Sequence, residues 1–86
     1  MNTNELKKYF NEHLVPGRLY ILKGSRRGRI CMDRSREGWE IYFLEHGQKI
    51  GLMRFSTESE ACLRMKEEIC KLMEALYGLR FISPQR

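Results

Sequence analysis

The stretch Trp39-Glu40-Ile41-Tyr42-Phe43-Leu44-Glu45-His46-Gly47-Gln48-Lys49-Ile50-Gly51-Leu52-Met53-Arg54-Phe55 decides the fold. Trp39, Ile41 and Phe43 alternate with Glu40, Tyr42 and Leu44, which is the period of two of a β-strand with two distinct faces. His46-Gly47-Gln48 reads as a tight turn, and Lys49 to Phe55 returns as the next strand. Upstream, Ser35-Arg36-Glu37-Gly38 is a turn, and Arg29 to Arg34 sets Ile30 and Met32 against Arg29, Cys31 and Asp33. Before it, Gly24 to Gly28 reads as a hairpin loop and Arg18 to Lys23 as a compact apolar strand. Connections this short predict antiparallel neighbours, because a parallel crossover takes a dozen or more residues. The middle of the chain is thus expected to be a four-stranded antiparallel meander.

Helical periodicity flanks it on both sides. Leu6, Phe10 and Leu14 recur every four residues within residues 4–14, with Asn4 or Thr3 as the N-cap and Val15-Pro16-Gly17 as the stop. Downstream, Thr57-Glu58-Ser59-Glu60 matches a capping box, in which the Thr57 hydroxyl and the Glu60 carboxylate each satisfy a free N–H. Cys62, Met65, Ile69, Leu72 and Leu76 then form one apolar stripe, with Met73 beside them. Gly78 stands where a left-handed C-cap belongs, and Pro84 ends further regular structure. Residues 1–86 therefore read as one α+β domain: a short N-terminal helix, the meander, and a long C-terminal helix packed across it.

Size and composition narrow the function classes. The chain has 86 residues, 42% hydrophobic and 31% charged, with 16 Lys+Arg against 11 Asp+Glu for a net charge of +5. That is a single core of modest depth, and its apolar fraction is too high for a disordered chain. No apolar run approaches the ~20 residues a membrane span needs, and Met1 to Asn11 does not read as a signal peptide. Cys31, Cys62 and Cys70 form no CxxC pair and no dense framework, which fits reduced, buried thiols and a cytoplasmic protein. His13 and His46 lie far apart, and no metal or cofactor motif is present.

Five arginines, Arg26, Arg27, Arg29, Arg34 and Arg36, fall within eleven residues. They read either as an anion-binding patch for phosphate or an acidic protein surface, or as a solvated sheet edge protected by charge. Tyr20 and Tyr42 are the candidates for a base-stacking platform of a nucleic-acid binder, although Leu22 and Leu44 in the same alternation favour a second packed face, with the N-terminal helix as its cover. Glu45 and His46 are the nearest acid–base pair, but neighbours on a strand point to opposite faces, which argues against catalysis. The chain leaves little length for a cleft once its elements are built, so it reads as a binding module rather than an enzyme.

The stretches Trp39 to Gly47 and Phe55 to Cys62 resemble a family of small bacterial immunity proteins, which protect cells from polymorphic or contact-dependent growth-inhibition toxins. The family pattern is close to W-x-V-Y-(Y/F)-S-E-R-G, then a strand, then F-x-(S/T)-E-x-E-A-C opening a helix; Tyr20-Ile21-Leu22 and Gly24 also fit, so that residues 18–76 are covered. Leu44 replaces the usual Ser and His46 the usual Arg, which implies different partner contacts if those positions touch the toxin. The resemblance implies a protein that binds a cognate toxin domain one-to-one and occludes its active site or an adjacent surface, with no chemistry of its own. Arg26, Arg27, Arg29, Arg34, Arg36, Glu45 and His46 are the expected contacts. A net +5 implies an acidic toxin surface or binding away from a nuclease cleft, whereas Glu37, Glu40, Glu45, Glu58 and Glu60 are a candidate acidic patch for a basic toxin. The competing reading is a small basic RNA- or DNA-binding regulator. The chain is expected to be a monomer, or a weak homodimer joined along an edge such as Arg18 to Lys23.

Overall fold

The computed structural model describes residues 1–78. Their order is α1 (Thr3–Glu12), a 3₁₀ turn (Gly17–Leu19), β1 (Tyr20–Leu22), β2 (Ile30–Ser35), β3 (Gly38–Glu45), β4 (Gln48–Phe55) and α2 (Glu58–Tyr77). The four strands form one sheet in the order β1-β2-β3-β4, so the α+β architecture is the expected one. Pro84 lies outside the described residues.

The sheet is mixed. β2, β3 and β4 pair antiparallel, but β1 runs parallel to β2, with Tyr20 opposite Ile30 and Leu22 opposite Met32. The crossover rule fails here because β1 is only three residues long, and the return from Leu22 to Ile30 covers the length of a single helical turn or two. Lys23, at a positive φ of 64°, starts the reversal, and its N–H donates to the Met32 carbonyl at 2.7 Å. Residues 23–29 then suffice as a crossover.

The β3–β4 hairpin closes on two residues, His46 at φ 49° and Gly47 at φ 76°, with Glu45 opposite Gln48. Two consecutive positive φ values match the right-handed twist of the strands. The register breaks between Ile41 and Phe43, where β4 carries one more residue than β3, beside Gly51 at φ 68°. This is a bulge, and it bends the far end of the hairpin.

Both helices cover the same face of the sheet. Asn2, not Asn4 or Thr3, caps α1: its side chain accepts from the Glu5 N–H while the Glu5 carboxylate accepts from the Asn2 N–H. The Thr57 hydroxyl accepts from the Glu60 N–H, but the expected return bond from the Glu60 carboxylate to the Thr57 N–H is not made. Glu58 instead reaches across to accept from the Thr3 N–H at 2.8 Å, which fixes the start of one helix to the start of the other. Leu6, Phe10, Ala61, Cys62, Met65, Ile69 and Met73 from the helices pack with Tyr20, Met32, Trp39 and Ile41 from the sheet. Leu72 is only partly buried and Leu76 is 53% exposed, because the last turn of α2 reaches past this core. Gly78 caps it at φ 69°, in the left-handed region.

The opposite face is covered by a loop rather than by α1. Cys31 and Tyr42 are buried there, with the Arg26 N–H 3.4 Å from the Cys31 sulfur. Glu40, also buried, takes hydrogen bonds from Lys49 Nζ at 2.9 Å and Arg54 Nε at 3.3 Å. The Lys49 bond, with Arg54 in support, holds the Glu40 carboxyl below the usual glutamate range against the opposing pull of burial. A lowered carboxyl stabilises the fold above the pH where an unfolded glutamate titrates, and that stability is lost as pH falls through the folded value. Glu40→Gln is therefore expected to cost about 1–2 kcal/mol at neutral pH. Thermal melts should show the gap to wild type narrowing from pH 7 towards pH 3, and a gap that stayed constant would contradict this role.

Candidate partner-binding site

The arginine cluster does not stay together. Arg26 and Arg27 lie exposed on the crossover loop, which is fastened to the end of β3 by the Gly28 N–H on the Leu44 carbonyl at 2.8 Å. That places them at the same end of the sheet as Glu45 and His46. Arg36 is exposed on the turn after β2, and Arg34 stacks over the Trp39 ring 5.5 Å from its centroid, both at the other end. With about 3.3 Å of rise per residue, six residues of β2 separate the two groups by roughly 20 Å. Arg29 has a structural duty: its guanidinium donates to the carbonyls of Gly17 at 3.0 Å and Tyr20 at 3.3 Å, tying the chain before β1 to the start of β2. One half of the expected site, Arg26, Arg27, Glu45 and His46, is thus brought together.

Glu45 and His46 do meet, contrary to the alternation argument: His46 Nε2 lies 3.2 Å from a Glu45 carboxylate oxygen. The strand has ended, and the left-handed backbone of His46 swings the ring back over its neighbour. The pair stands in open solvent at the hairpin tip, where such contacts contribute little to stability. The acidic patch is not assembled either, since Glu40 is buried under its two cations and Glu58 is spent on Thr3. Tyr20 and Tyr42 are both buried, Tyr20 against Phe10 in the helix-side core and Tyr42 on the opposite face, so they make no exposed stacking platform.

Two residues missed from sequence complete this end of the molecule. Phe43 and Ile50 are cross-strand partners, 38% and 49% exposed. Alternation sets Phe43 on the face of Trp39 and Ile41, but towards the hairpin end it lies beyond the core that buries those two. Lys49, Phe43's near neighbour across the hairpin, lies over the Tyr42 ring at 4.9 Å.

Cys31 and Cys62 are buried free thiols and Cys70 is partly buried; burial pushes the Cys62 thiol up to about 11 and raises Cys70. Those directions suit packing rather than nucleophilic attack. Among the described residues no His, Cys, Asp or Glu group has a metal-holding arrangement, and no helix is long and apolar enough to cross a membrane. No family model matches the sequence, and no curated protein or solved structure gives a significant match.

Proposed function

We propose that this chain is a protein-binding inhibitor of the immunity type, which masks a cognate toxin domain through the end of the sheet that carries Arg26, Arg27, Glu45 and His46. The observation that supports this most is the exposed Phe43–Ile50 pair at that same end. An aromatic and an aliphatic residue beside arginines and lysine make up the kind of centre and charged rim that protein interfaces use. The resembling motif divides in a consistent way. Trp39, Ala61 and Thr57 serve the core and the helix cap, whereas the two departures, Leu44 and His46, fall on the hairpin end.

The test is co-expression with the toxin domain expected from a neighbouring reading frame and purification of a one-to-one complex. Arg26→Glu with Arg27→Glu is expected to weaken it at least ~10-fold at low salt, with the loss shrinking as salt rises. Arg34→Glu with Arg36→Glu should leave affinity within about twofold, because those residues sit at the opposite end. Equal losses for both double variants would remove the hairpin end from the interface. Tight binding of mixed RNA or DNA at ~50 mM salt, falling steeply with added salt, would instead favour the nucleic-acid reading.

A further inference from the structure

A groove of about 260 Å³ runs between α1 and β1, along the sheet edge opposite β4. α1 contributes Thr3, Asn4 and Lys7 to it, residues spaced to share one helical face, and β1 contributes its whole length. Lys7, Lys23 and Arg29 bring three positive charges, and no acidic side chain lines it. Arg29 spends part of its guanidinium on the Gly17 and Tyr20 carbonyls. Lys7 and Lys23 are exposed and have no ion-pair partner among the described residues; Glu58, whose carboxylate feels the charge of Lys23, is already held by the Thr3 N–H.

The groove also runs along a free sheet edge, since β1 is the terminal strand. The Lys23 N–H turns inward to Met32, so alternation along the strand turns Ile21 inward as well and faces the N–H and C=O of Leu22 outward. A main-chain donor and acceptor thus stand between cations, in a channel walled by a helix. Metal ions would be repelled by that charge, and a free phosphate would use the cations but not the strand edge. An extended backbone carrying carboxylates uses both.

We infer that this groove takes an extended acidic segment of the partner protein, which pairs with β1 at Leu22 and sets its carboxylates against Lys7 and Lys23. This deepens the protein-binding role proposed above and rests on it, adding a second contact along the β1 edge. β1 spans about 10 Å at 3.3 Å per residue, so three or four residues of the segment would engage. Two separate contacts on one small protein also give specificity that neither charge patch supplies alone.

The probe is a fluorescein-labelled peptide of alternating valine and glutamate, titrated into the full chain at low salt and read by anisotropy, beside the same peptide with lysine for glutamate. Saturable binding of the glutamate peptide alone is expected, weakened at least ~10-fold by Lys7→Glu with Lys23→Glu. Both lysines are exposed, so this variant should fold as wild type does. Slowed exchange of the Leu22 amide in the bound state is expected as the mark of strand pairing. Equal binding of both peptides, indifference to the double variant, or an unprotected Leu22 amide would each overturn the inference. Tighter, competing binding of a short single-stranded oligonucleotide would overturn it in favour of a phosphate chain. A chain that copurified with its toxin yet ignored the peptide would lose only the groove, whereas one that bound the peptide but no toxin would lose the inhibitor reading.

Discussion

Gly38→Ala is expected to cost about 3 kcal/mol or more, the sum of a backbone held where alanine is strained and a contact that cannot relax. Gly38 opens β3 at φ 150°, and a Cβ there would lie 2.3 Å from the Phe55 carbonyl oxygen. The obstacle is backbone, so no side chain can swing aside. Relief would have to come from moving the end of β4, which pairs Phe55 with the buried Trp39 and leads directly into the Thr57 cap of α2. One added methyl therefore strains the sheet, the core tryptophan and the helix start together. Gly47→Ala is the control: its φ of 76° is also left-handed, but nothing lies within 4 Å of the new Cβ. That change should cost about 1 kcal/mol. At about 4–8 °C per kcal/mol for a domain of this size, thermal melts should separate the two variants by on the order of 10 °C. Equal losses would mean that the close approach to Phe55 does not govern this corner of the fold.

This corner also shows what local sequence can reveal. Ser35 to Gly38 reads as a turn from composition, yet the requirement for glycine comes from a strand end seventeen residues further on, a contact no local pattern contains. Features set by nearest neighbours were legible. The Thr57 cap, the Gly78 terminus, the His46-Gly47 turn and the antiparallel pairing of β2, β3 and β4 all follow from residue type and spacing. Asn2 lies one residue before the expected caps Thr3 and Asn4, and its reciprocal partner Glu5 is the sequence signal for it. The direction of β1 was not legible, because a three-residue strand leaves so little distance to retrace that a short loop serves either orientation.

The candidate site was half legible for a related reason. Proximity along the chain held for Arg26 and Arg27, which share a loop, and failed for Arg34 and Arg36, which an extended strand carries to the far end. In a helix the same spacing would have kept all five within about three turns, roughly 15 Å along the axis. Glu45 and His46 reversed the error: the alternation rule separated them, and the turn that ends the strand reunited them. The groove beside β1 had no sequence signature, since Lys7 comes from α1 and Lys23 and Arg29 from the two ends of the crossover, which only the folded edge brings together.

Phe10→Ala is expected to cost about 3–5 kcal/mol, whereas Leu14→Ala, at the next position of the same helical spacing, should cost under ~0.5 kcal/mol. Leu6, Phe10 and Leu14 share one phase in sequence, and an ideal helix would bury all three. The helix ends first. The Val15 N–H donates to the Phe10 carbonyl at 3.0 Å and the Leu14 N–H to that of Asn11 at 3.2 Å, the paired bonds of a Schellman terminus. Leu14 takes the left-handed position at φ 56° and is thrown outward, 83% exposed, while Val15 turns in to pack in the same core as Phe10. Phe10 is fully buried, its ring 4.7 Å from that of Tyr20, and it joins α1 to the first strand. Its loss leaves a cavity at that seam, so amide exchange in α1 should quicken more than exchange in α2. The same geometry predicts the opposite sign for Leu14→Gly: glycine relieves a strained left-handed leucine, and stability should rise by about 1 kcal/mol. Destabilisation by Leu14→Gly would show that Leu14 is held by a contact outside this terminus, and the helical phase would then have been the better guide to its role.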